Sequence, residues 1–284
     1  MITRVLSATK DVIISDDEPT VLIGERINPS GKKYLAEALK NEDMEVIRKE
    51  ALEQVIAGAD ILDINVGMFG VDEVVLLPQV IKFVTQVVDI PVCIDSSNAN
   101  AITAALKVCP GRPLVNSVTG EERSLEGILP LIKEYGCSVV GLLQDDEGLP
   151  KDVDKRVAIA HKIVERAAKA GIPRENLVID CLAFAIGVDP TAVIVAIKTM
   201  RRIKEELGVN MTIGVSNVSF GMPNRNLINS AFVSIAITEG ATCLMMDVAK
   251  VRPIVLATDL LMERDKYARR YIADFRIKKQ AEEK

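Results

Sequence analysis

The chain has 284 residues and carries 35 basic and 40 acidic side chains, which gives a formal net charge of −5. This charge excludes a protein built for non-specific binding to nucleic acid, because no basic surplus is available to neutralise phosphates. It gives no sign of binding to anionic membranes, and no apolar run is long enough to cross a bilayer. The amino-terminal segment lacks the apolar core of a signal peptide, so the sequence predicts a cytoplasmic protein.

The residue types that are scarce in the sequence restrict its chemistry. It has a single histidine, His161, and five scattered cysteines with no Cys-x-x-Cys pair. A serine or cysteine nucleophile activated by histidine has one candidate base here, and a zinc site built from histidine and cysteine clusters is disfavoured for the same reason. His161 lies in a helical stretch and is interpreted as an ordinary packing residue. The sequence therefore predicts reduced thiols, no bound metal, and chemistry based on carboxylates, amides or a bound cofactor.

Eight short apolar runs alternate with longer amphipathic stretches along the chain. Each run is apolar almost throughout, as expected for parallel strands that are buried on both faces. The predicted strands lie at residues 21–25, 59–66, 90–95, 113–117, 138–143, 177–180, 211–216 and 242–247. The predicted helices lie at residues 43–58, 72–88, 98–109, 124–136, 152–171, 190–207, 225–239 and 253–280.

Eight β–α units predict an α/β protein folded as a (β/α)8 TIM barrel, with one domain over residues 1–284. A doubly wound open sheet is the alternative, but it usually has fewer strands, and the glycine-rich dinucleotide fingerprint is missing after the first strand. Residues 1–20 are predicted to form a short hairpin or cap over the bottom of the barrel. Residues 253–284 are predicted to be a C-terminal helix, which is charged over residues 263–284.

Polar residues collect at the carboxyl ends of the predicted strands, where a TIM barrel has its active site. These ends carry Glu25, Asn28, Asp63, Asn65, Asp95, Asn116, Asp180, Asn217 and Asp247. For a single residue, a helix cap or a turn is an equally good interpretation. For the whole set it is weaker, because amide and carboxyl groups inside apolar runs cost free energy unless they meet a partner. Such a set of donors and acceptors suits a flat heterocycle such as a pterin better than a polyphosphate.

Six motifs on six predicted strands carry a resemblance to a known family. They are GERIN (24–28), DINVG (63–67), CIDSSN (93–98), VNS (115–117), VID (178–180) and GVSNVSFGMPNR (214–225). Together they resemble the pterin-binding barrel of methyltetrahydrofolate–corrinoid methyltransferases, a family that includes the folate domain of cobalamin-dependent methionine synthase. The motifs occur in the same order as in that family, so the resemblance implies a TIM barrel of the pterin-binding type.

The resemblance implies a role for each matching position. Asp95, Asn116 and Asp180 match residues that hydrogen-bond the pterin ring. Asn217 matches the asparagine beside N5, the nitrogen that carries the methyl group, and is therefore the predicted catalytic residue. The other predicted folate-binding residues line the same mouth or shape its loop, and they are Glu25, Asn28, Asp63, Asn65, Gly214, Ser216, Ser219 and Arg225.

The implied reaction moves a methyl group between N5 of tetrahydrofolate and the cobalt of a corrinoid. Tetrahydrofolate or 5-methyltetrahydrofolate is then the substrate. The chain carries no corrinoid-binding motif, so the resemblance implies that cobalamin or a related corrinoid comes on a partner protein. Relatives form homodimers, which makes a homodimer the expected assembly. These residues do not determine the direction of methyl transfer.

Other functions stay open at this stage. Dihydropteroate synthase shares the barrel, but it has a Ser-Thr-Arg-Pro stretch where residues 68–71 of this chain are Met-Phe-Gly-Val. It also has a basic signature on its last strand, where this chain has Met245, Met246 and Asp247. A folate-binding barrel without catalysis is a second alternative. A barrel aldolase would need a Schiff-base lysine at a strand end, and Lys250, beyond the last strand, is the nearest candidate.

Overall fold

The computed structural model of the protein describes residues 1–282. A hairpin of two antiparallel strands, β1 (Thr3–Leu6) and β2 (Asp11–Ile14), comes first. It is followed by β3 (Val21–Ile27), β4 (Ile61–Ile64), β5 (Val92–Asp95), β6 (Leu114–Thr119), β7 (Ser138–Leu142), β8 (Leu177–Asp180), β9 (Asn210–Thr212) and β10 (Cys243–Met246). Each of these eight strands overlaps one of the eight predicted apolar runs, although β9 ends at Thr212 and not at the predicted residue 216.

The eight strands form one parallel sheet in the order β10-β3-β4-β5-β6-β7-β8-β9. The two outer strands of this order, β9 and β10, meet through backbone hydrogen bonds rather than a regular ladder. Thr242 N donates to Met211 O at 3.0 Å, and Met245 N donates to Ile213 O at 3.2 Å. The sheet is thereby closed into the predicted (β/α)8 barrel.

Helices surround the barrel strands and cover their outer faces. They are α1 (Lys33–Lys40), α2 (Met44–Ala57), α3 (Glu73–Val87), α4 (Ala99–Leu106), α5 (Glu122–Tyr135), α6 (Val153–Lys169), α7 (Ala192–Glu206), α8 (Arg225–Thr238), α9 (Val248–Leu261) and α10 (Arg269–Glu282). The sequence analysis did not predict α1, which has eight residues and no side-chain cap at its first turn. No helix in the described part of the chain is both long and apolar enough to span a membrane.

The C-terminal region differs from the single helix predicted over residues 253–284. The structure has two helices there, because the chain turns between α9 and α10. Three residues of the turn have positive φ angles, and they are Glu263 (60°), Tyr267 (61°) and Ala268 (54°). The Asp265 carboxylate then accepts hydrogen bonds from the N–H groups of Arg270 (3.0 Å) and Tyr271 (2.9 Å), which starts α10. Residues 283–284 of the predicted helix lie outside the described residues.

The β1–β2 hairpin closes the amino-terminal end of the barrel. Val5 and Ile14 are fully buried and pack against the apolar residues that fill the barrel interior. Asn210, at the start of β9, donates from Nδ2 to Thr3 Oγ1 and to the Ile14 carbonyl, both at 2.9 Å. The bottom of the barrel is therefore sealed, and the opposite end is the one that is open to a ligand.

Candidate functional site

Five of the predicted binding residues occupy interior positions of the barrel, directly above its apolar filling. Because side chains alternate along a strand, residues two apart point to the same face. The apolar interior residues Ile23, Ile61, Cys93, Leu114 and Val178 are each followed, two positions later, by a polar residue. Those polar residues are Glu25, Asp63, Asp95, Asn116 and Asp180. The alternation brings them together at the mouth of the barrel, where the strands end.

Asp95 lies at the end of β5 and is held by Asn65, the residue directly after β4. Asn65 Nδ2 donates to Asp95 Oδ2 at 2.9 Å, while Asn65 Oδ1 accepts from the N–H of Gly67 at 2.8 Å. Burial raises the pKa of Asp95 to about 6, although the hydrogen bond from Asn65 opposes the shift. The carboxylate is thus fixed in orientation and lies close to its protonation midpoint at mildly acidic pH.

A cavity of about 920 Å³ opens beside Asp95. Asn65, Asp95 and Asn116 line it, and its size lies in the range of small-molecule binding sites. It continues over the ends of β6 and β7 to polar residues that the sequence analysis did not include in the predicted site. These are Ser96, Ser97, Asn98, Asn100, Ser117, Thr119, Glu121, Arg123, Ser124 and Gln144.

Asp63 is the deepest of the predicted residues. It is 1% exposed, and neither of its carboxylate oxygens has a hydrogen-bond partner within the described chain. Burial, together with the charges of Asp95 and Glu25, raises its pKa well above the usual value. This environment favours the neutral, protonated carboxyl group. Thr212 Oγ1, on β9, is a second buried polar atom without a partner in the described chain.

Asp180 lies at the end of β8 and accepts a hydrogen bond from the N–H of Leu182 at 2.9 Å. Burial raises its pKa to about 6, while that hydrogen bond and the Arg156 guanidinium act in the opposite direction. Leu182 has a φ of 57°, a left-handed conformation that is unusual for a residue with a branched side chain. The sequence analysis did not identify Arg156.

Glu25 and Asn28 lie on the opposite side of the same mouth. Asn28 Nδ2 donates to Glu25 Oε1 at 3.3 Å, and Asn28 Oδ1 accepts from the N–H of Ser30 at 3.0 Å. Burial raises the pKa of Glu25, the charge of Lys32 lowers it, and the charge of Asp180 raises it further. Lys32 is a cation at this site that the sequence analysis missed.

The predicted catalytic residue, Asn217, lies in a short 3₁₀ helix after β9 and has an exposed side chain. A Cβ atom on Gly214 would lie 2.9 Å from Asn217 Nδ2, so glycine leaves room for the amide. Arg225, at the start of α8, donates from Nη2 to Ser216 O at 2.7 Å and from Nε to Ser219 Oγ at 3.0 Å. These four residues therefore build the loop that presents Asn217.

The predicted residues divide into three groups in the structure. Asn65, Asp95 and Asn116 line the cavity, with Asp63 beneath them. Glu25, Asn28 and Asp180 surround the rest of the mouth, and Asn217 lies on its separate loop. Within residues 1–282, no group of three or more His, Cys, Asp or Glu side chains is arranged to hold a metal ion.

Residues 24–247 match the family of pterin binding enzymes. The chain belongs to this family. It is 29% identical over 263 residues to the methylcorrinoid:tetrahydrofolate methyltransferase of Eubacterium limosum, a match that covers 90% of this chain and 96% of that protein. It is 30% identical over 253 residues to the methionine synthase of Mycobacterium leprae (strain TN), covering 84% of this chain but 21% of that protein. The chain thus corresponds to a small part of methionine synthase.

Solved structures of dihydropteroate synthases have the same fold. The enzyme from Yersinia pestis matches with a TM-score of 0.68 and 19% identity, covering 92% of this chain and 99% of that chain. The enzyme from Stenotrophomonas maltophilia matches with a TM-score of 0.70 and 21% identity, covering 91% of this chain and 98% of that chain. Similarity at this level of identity shows the fold alone. Together with the family match, it confirms the predicted pterin-binding TIM barrel.

Proposed function

We propose that this methyltransferase moves a methyl group between N5 of tetrahydrofolate and the cobalt of a corrinoid carried by a separate protein. The observation that carries the proposal is the arrangement of Asp95, Asn116 and Asp180 in one barrel mouth, with Asn217 presented beside them on its own loop. The similarity to a methylcorrinoid:tetrahydrofolate methyltransferase over 90% of the chain supports it.

The binding chemistry follows from the side chains at the mouth. Carboxylates of Asp95 and Asp180 accept hydrogen bonds from the N–H groups of a pterin more strongly than neutral acceptors would. Asn116 Nδ2 lies 3.7 Å from Met245 Sδ, a weak acceptor, so a ring carbonyl or nitrogen replaces this contact at little cost. These three residues orient the ring, and the cavity beside them accommodates the remainder of the folate.

Asn217 is assigned to the methyl-transfer step. When 5-methyltetrahydrofolate is the donor, the N5–CH₃ bond breaks and its electron pair stays on N5, which takes up a proton. The corrinoid of the partner protein supplies a Co(I) centre, whose electron pair forms the new bond to the methyl group. A hydrogen bond from the Asn217 amide that strengthens as N5 changes its charge lowers the barrier. An amide does not titrate, so Asn217 is not the proton donor, and we assign the proton to solvent.

Dihydropteroate synthase remains a second candidate because of the shared fold, but two segments of this chain argue against it. The loop after β4 contains Met68 and Phe69, and Phe69 is 97% exposed. At the end of β10, Asp247 forms ion pairs with Arg26 (3.5 Å) and Lys250 (3.1 Å). The basic signature of the synthase has no counterpart at residues 245–247, and the pairing of Lys250 also disfavours a role as a Schiff-base nucleophile.

The test is an anaerobic spectroscopic assay with purified protein. Co(I) cobalamin plus 5-methyltetrahydrofolate is followed in one direction, and methylcobalamin plus tetrahydrofolate in the other. We expect turnover in at least one direction. Folate binding without turnover, with free cobalamin and with a corrinoid protein, would instead indicate a non-catalytic folate-binding barrel. Formation of dihydropteroate from its pterin precursor and 4-aminobenzoate would indicate the synthase.

The Asn217→Ala variant tests the assigned role in the same assay. We expect a slower methyl-transfer step at saturating folate, with folate affinity partly kept. The matched control is Asn226→Ala, which removes an exposed asparagine on α8 close to the same loop. If Asn217→Ala strongly weakens folate binding while the rate at saturation stays normal, the residue is a binding residue and the assignment is wrong.

Two further features stay predictions, a cytoplasmic location and the homodimer that the resemblance implies. The direction of methyl transfer is open, because both directions pass through the same site. The ratio of the two rates, measured with a panel of corrinoid proteins, is the observation that decides the direction.

A further inference from the structure

Arg156 is a buried cation on α6 that contacts the turn following β8. Its side chain is 0% exposed. Nη1 donates to the carbonyls of Cys181 (3.0 Å) and Leu182 (2.9 Å), and Nε donates to the carbonyl of Pro150 (3.0 Å). The guanidinium carbon lies 4.9 Å from the centre of the Phe184 ring. Nη2 has no hydrogen-bond partner within the described chain. Arginine stays charged in proteins and a buried charge is costly, so these contacts offset its burial only in part.

The turn that Arg156 holds is also the turn that holds Asp180. Leu182 adopts a left-handed conformation with a φ of 57°. This conformation is disfavoured for a residue with a Cβ atom, so surrounding contacts must maintain it. With the turn in this conformation, the N–H of Leu182 donates to Asp180 Oδ1 at 2.9 Å. A continuous set of hydrogen bonds therefore leads from Arg156, through residues 181–182, to the Asp180 carboxylate.

We propose that Arg156 is a positioning residue, which holds the turn at residues 181–182 so that the Asp180 carboxylate points into the barrel mouth for pterin binding. The inference rests on the proposed function for the identity of the ligand. The anchoring of the turn is a property of the chain itself and can be measured without a ligand. Arg156 acts through the backbone of the turn and does not contact the pterin.

Arg156 also acts on Asp180 through its charge. The titratable groups that face Asp180 are Arg156 from α6, Glu25 from β3, Cys181 beside it, and Cys243 from β10. Arg156 is the cation in this group, and it lowers the pKa of Asp180 against the effect of burial. Its removal therefore raises the pKa of Asp180 above about 6 and shifts formation of the carboxylate to higher pH.

The chain offers a matched control in Arg264, a second buried arginine. Arg264 is 8% exposed and donates to the Ala241 carbonyl (2.9 Å) and to Thr20 Oγ1 (3.1 Å). Thr20 and Ala241 precede β3 and β10, so this arginine binds backbone at the bottom of the barrel. Substitution of Arg264 removes contacts of the same kind at the end of the barrel away from Asp180.

The experiment compares Arg156→Lys and Arg156→Gln with Arg264→Lys and Arg264→Gln. Hydrogen–deuterium exchange of residues 180–187 is measured without ligand, and the affinity for 5-methyltetrahydrofolate is measured by calorimetry across pH. We expect both Arg156 variants to exchange at least tenfold faster in this segment. For Arg156→Gln we also expect about tenfold weaker binding at pH 7 and a higher pH midpoint. Arg156→Lys keeps the charge, so its pH midpoint should stay near that of the wild type.

The Arg264 variants should lose thermal stability while their exchange at residues 180–187 and their pH midpoint stay unchanged. Wild-type exchange in a folded Arg156→Lys or Arg156→Gln protein would overturn the proposal. An equal effect from the Arg264 variants would overturn it as well, because it would show general destabilisation. If the wild-type protein binds no folate, the proposed function fails, and the exchange measurement alone decides whether Arg156 anchors the turn.

Discussion

The two carboxylates assigned to the pterin, Asp95 and Asp180, have pKa values raised by burial to about 6. Their acceptor function requires the ionised form. We therefore expect folate affinity to be constant above roughly pH 7 and to fall below pH 6, by up to about tenfold per pH unit for each group that must ionise. Calorimetric titration with 5-methyltetrahydrofolate between pH 5 and pH 8 measures this dependence.

The Asp180→Asn and Asp95→Asn variants test whether this pH dependence arises from ionisation of the two carboxylates or from ionisation of the ligand. Each substitution keeps the size of the side chain and removes one titration. We expect each variant to bind more weakly at pH 7 and to show a shallower decline in affinity at low pH. A decline of unchanged steepness in both variants would assign the titration to the ligand instead.

Asp63 presents the opposite case, a carboxyl group that the folded protein prefers to keep protonated. Its pKa is raised well above the usual value by burial and by the charges of Asp95 and Glu25. The folded state therefore binds this proton more tightly than the unfolded state does. The resulting stability is present below the unfolded pKa of about 4 and is lost as pH rises towards the folded pKa, with a slope of at most about 1.4 kcal/mol per pH unit.

The Asp63→Asn variant removes this pH-dependent loss of stability. We expect the difference in unfolding free energy, variant minus wild type, to be more favourable to the variant at pH 8 than at pH 5. Urea denaturation at the two pH values measures the difference, and Asp72→Asn, on the barrel exterior at the start of α3, is the control. A difference that is the same at both pH values would show that Asp63 has no raised pKa.

The residues of the candidate site differ in how far the sequence reveals them. Four of them are polar groups inside apolar runs, namely Asp63, Asp95, Asn116 and Asp180. Burying such a group costs free energy unless it meets a partner, so its presence indicates a function. Arg156 carries no such signal, because an arginine between charged and apolar residues of an amphipathic helix normally lies on its exposed face. Its burial depends on where α6 meets the turn after β8, and that is a tertiary contact that no local pattern contains.

Strands were easier to predict than helix boundaries. Strands buried on both faces give short apolar runs that stand out from their surroundings, and all eight occur where the sequence predicts them. The missed α1 has eight residues and no side-chain cap at its first turn, so it lacks the boundary signals that mark the longer helices. The break between α9 and α10 contains no glycine or proline. The break is formed by residues in the left-handed conformation and by the Asp265 cap. Because the composition of this segment is charged and favours helix, no local pattern predicted the break.

We therefore expect the Asp265 side chain to act as the cap at the start of α10. It is 5% exposed and accepts from two N–H groups of the first turn. Loss of a helix-capping side chain costs about 0.5–2 kcal/mol. We expect Asp265→Ala to lower the free energy of unfolding by about this amount and to leave folate affinity within twofold. Asp265→Asn keeps one of the two accepting oxygens and should recover part of the loss, and equal destabilisation by both variants would contradict a capping role.

The two ends of the barrel differ in structure, because one end is closed and the other carries the polar residues of the candidate site. The hairpin seals the apolar interior at the bottom, while the polar groups assigned to ligand binding lie at the carboxyl ends of the strands. The apolar interior layer separates the two ends. Changes at the bottom should therefore alter the stability of the fold with little effect on the geometry of Asp95 and Asp180.

The Ile14→Ala variant tests this separation. Ile14 is 0% exposed and packs in the barrel interior, so its truncation should lower the free energy of unfolding by about 2–5 kcal/mol. The matched control is Ile2→Ala, because Ile2 is 52% exposed and its truncation should cost far less. Urea denaturation gives the stabilities, and calorimetry at 15 °C, where the variant stays folded, gives the folate affinity. We expect that affinity to stay within twofold of wild type. An affinity that falls in parallel with stability would show that the hairpin and the mouth are coupled through the interior.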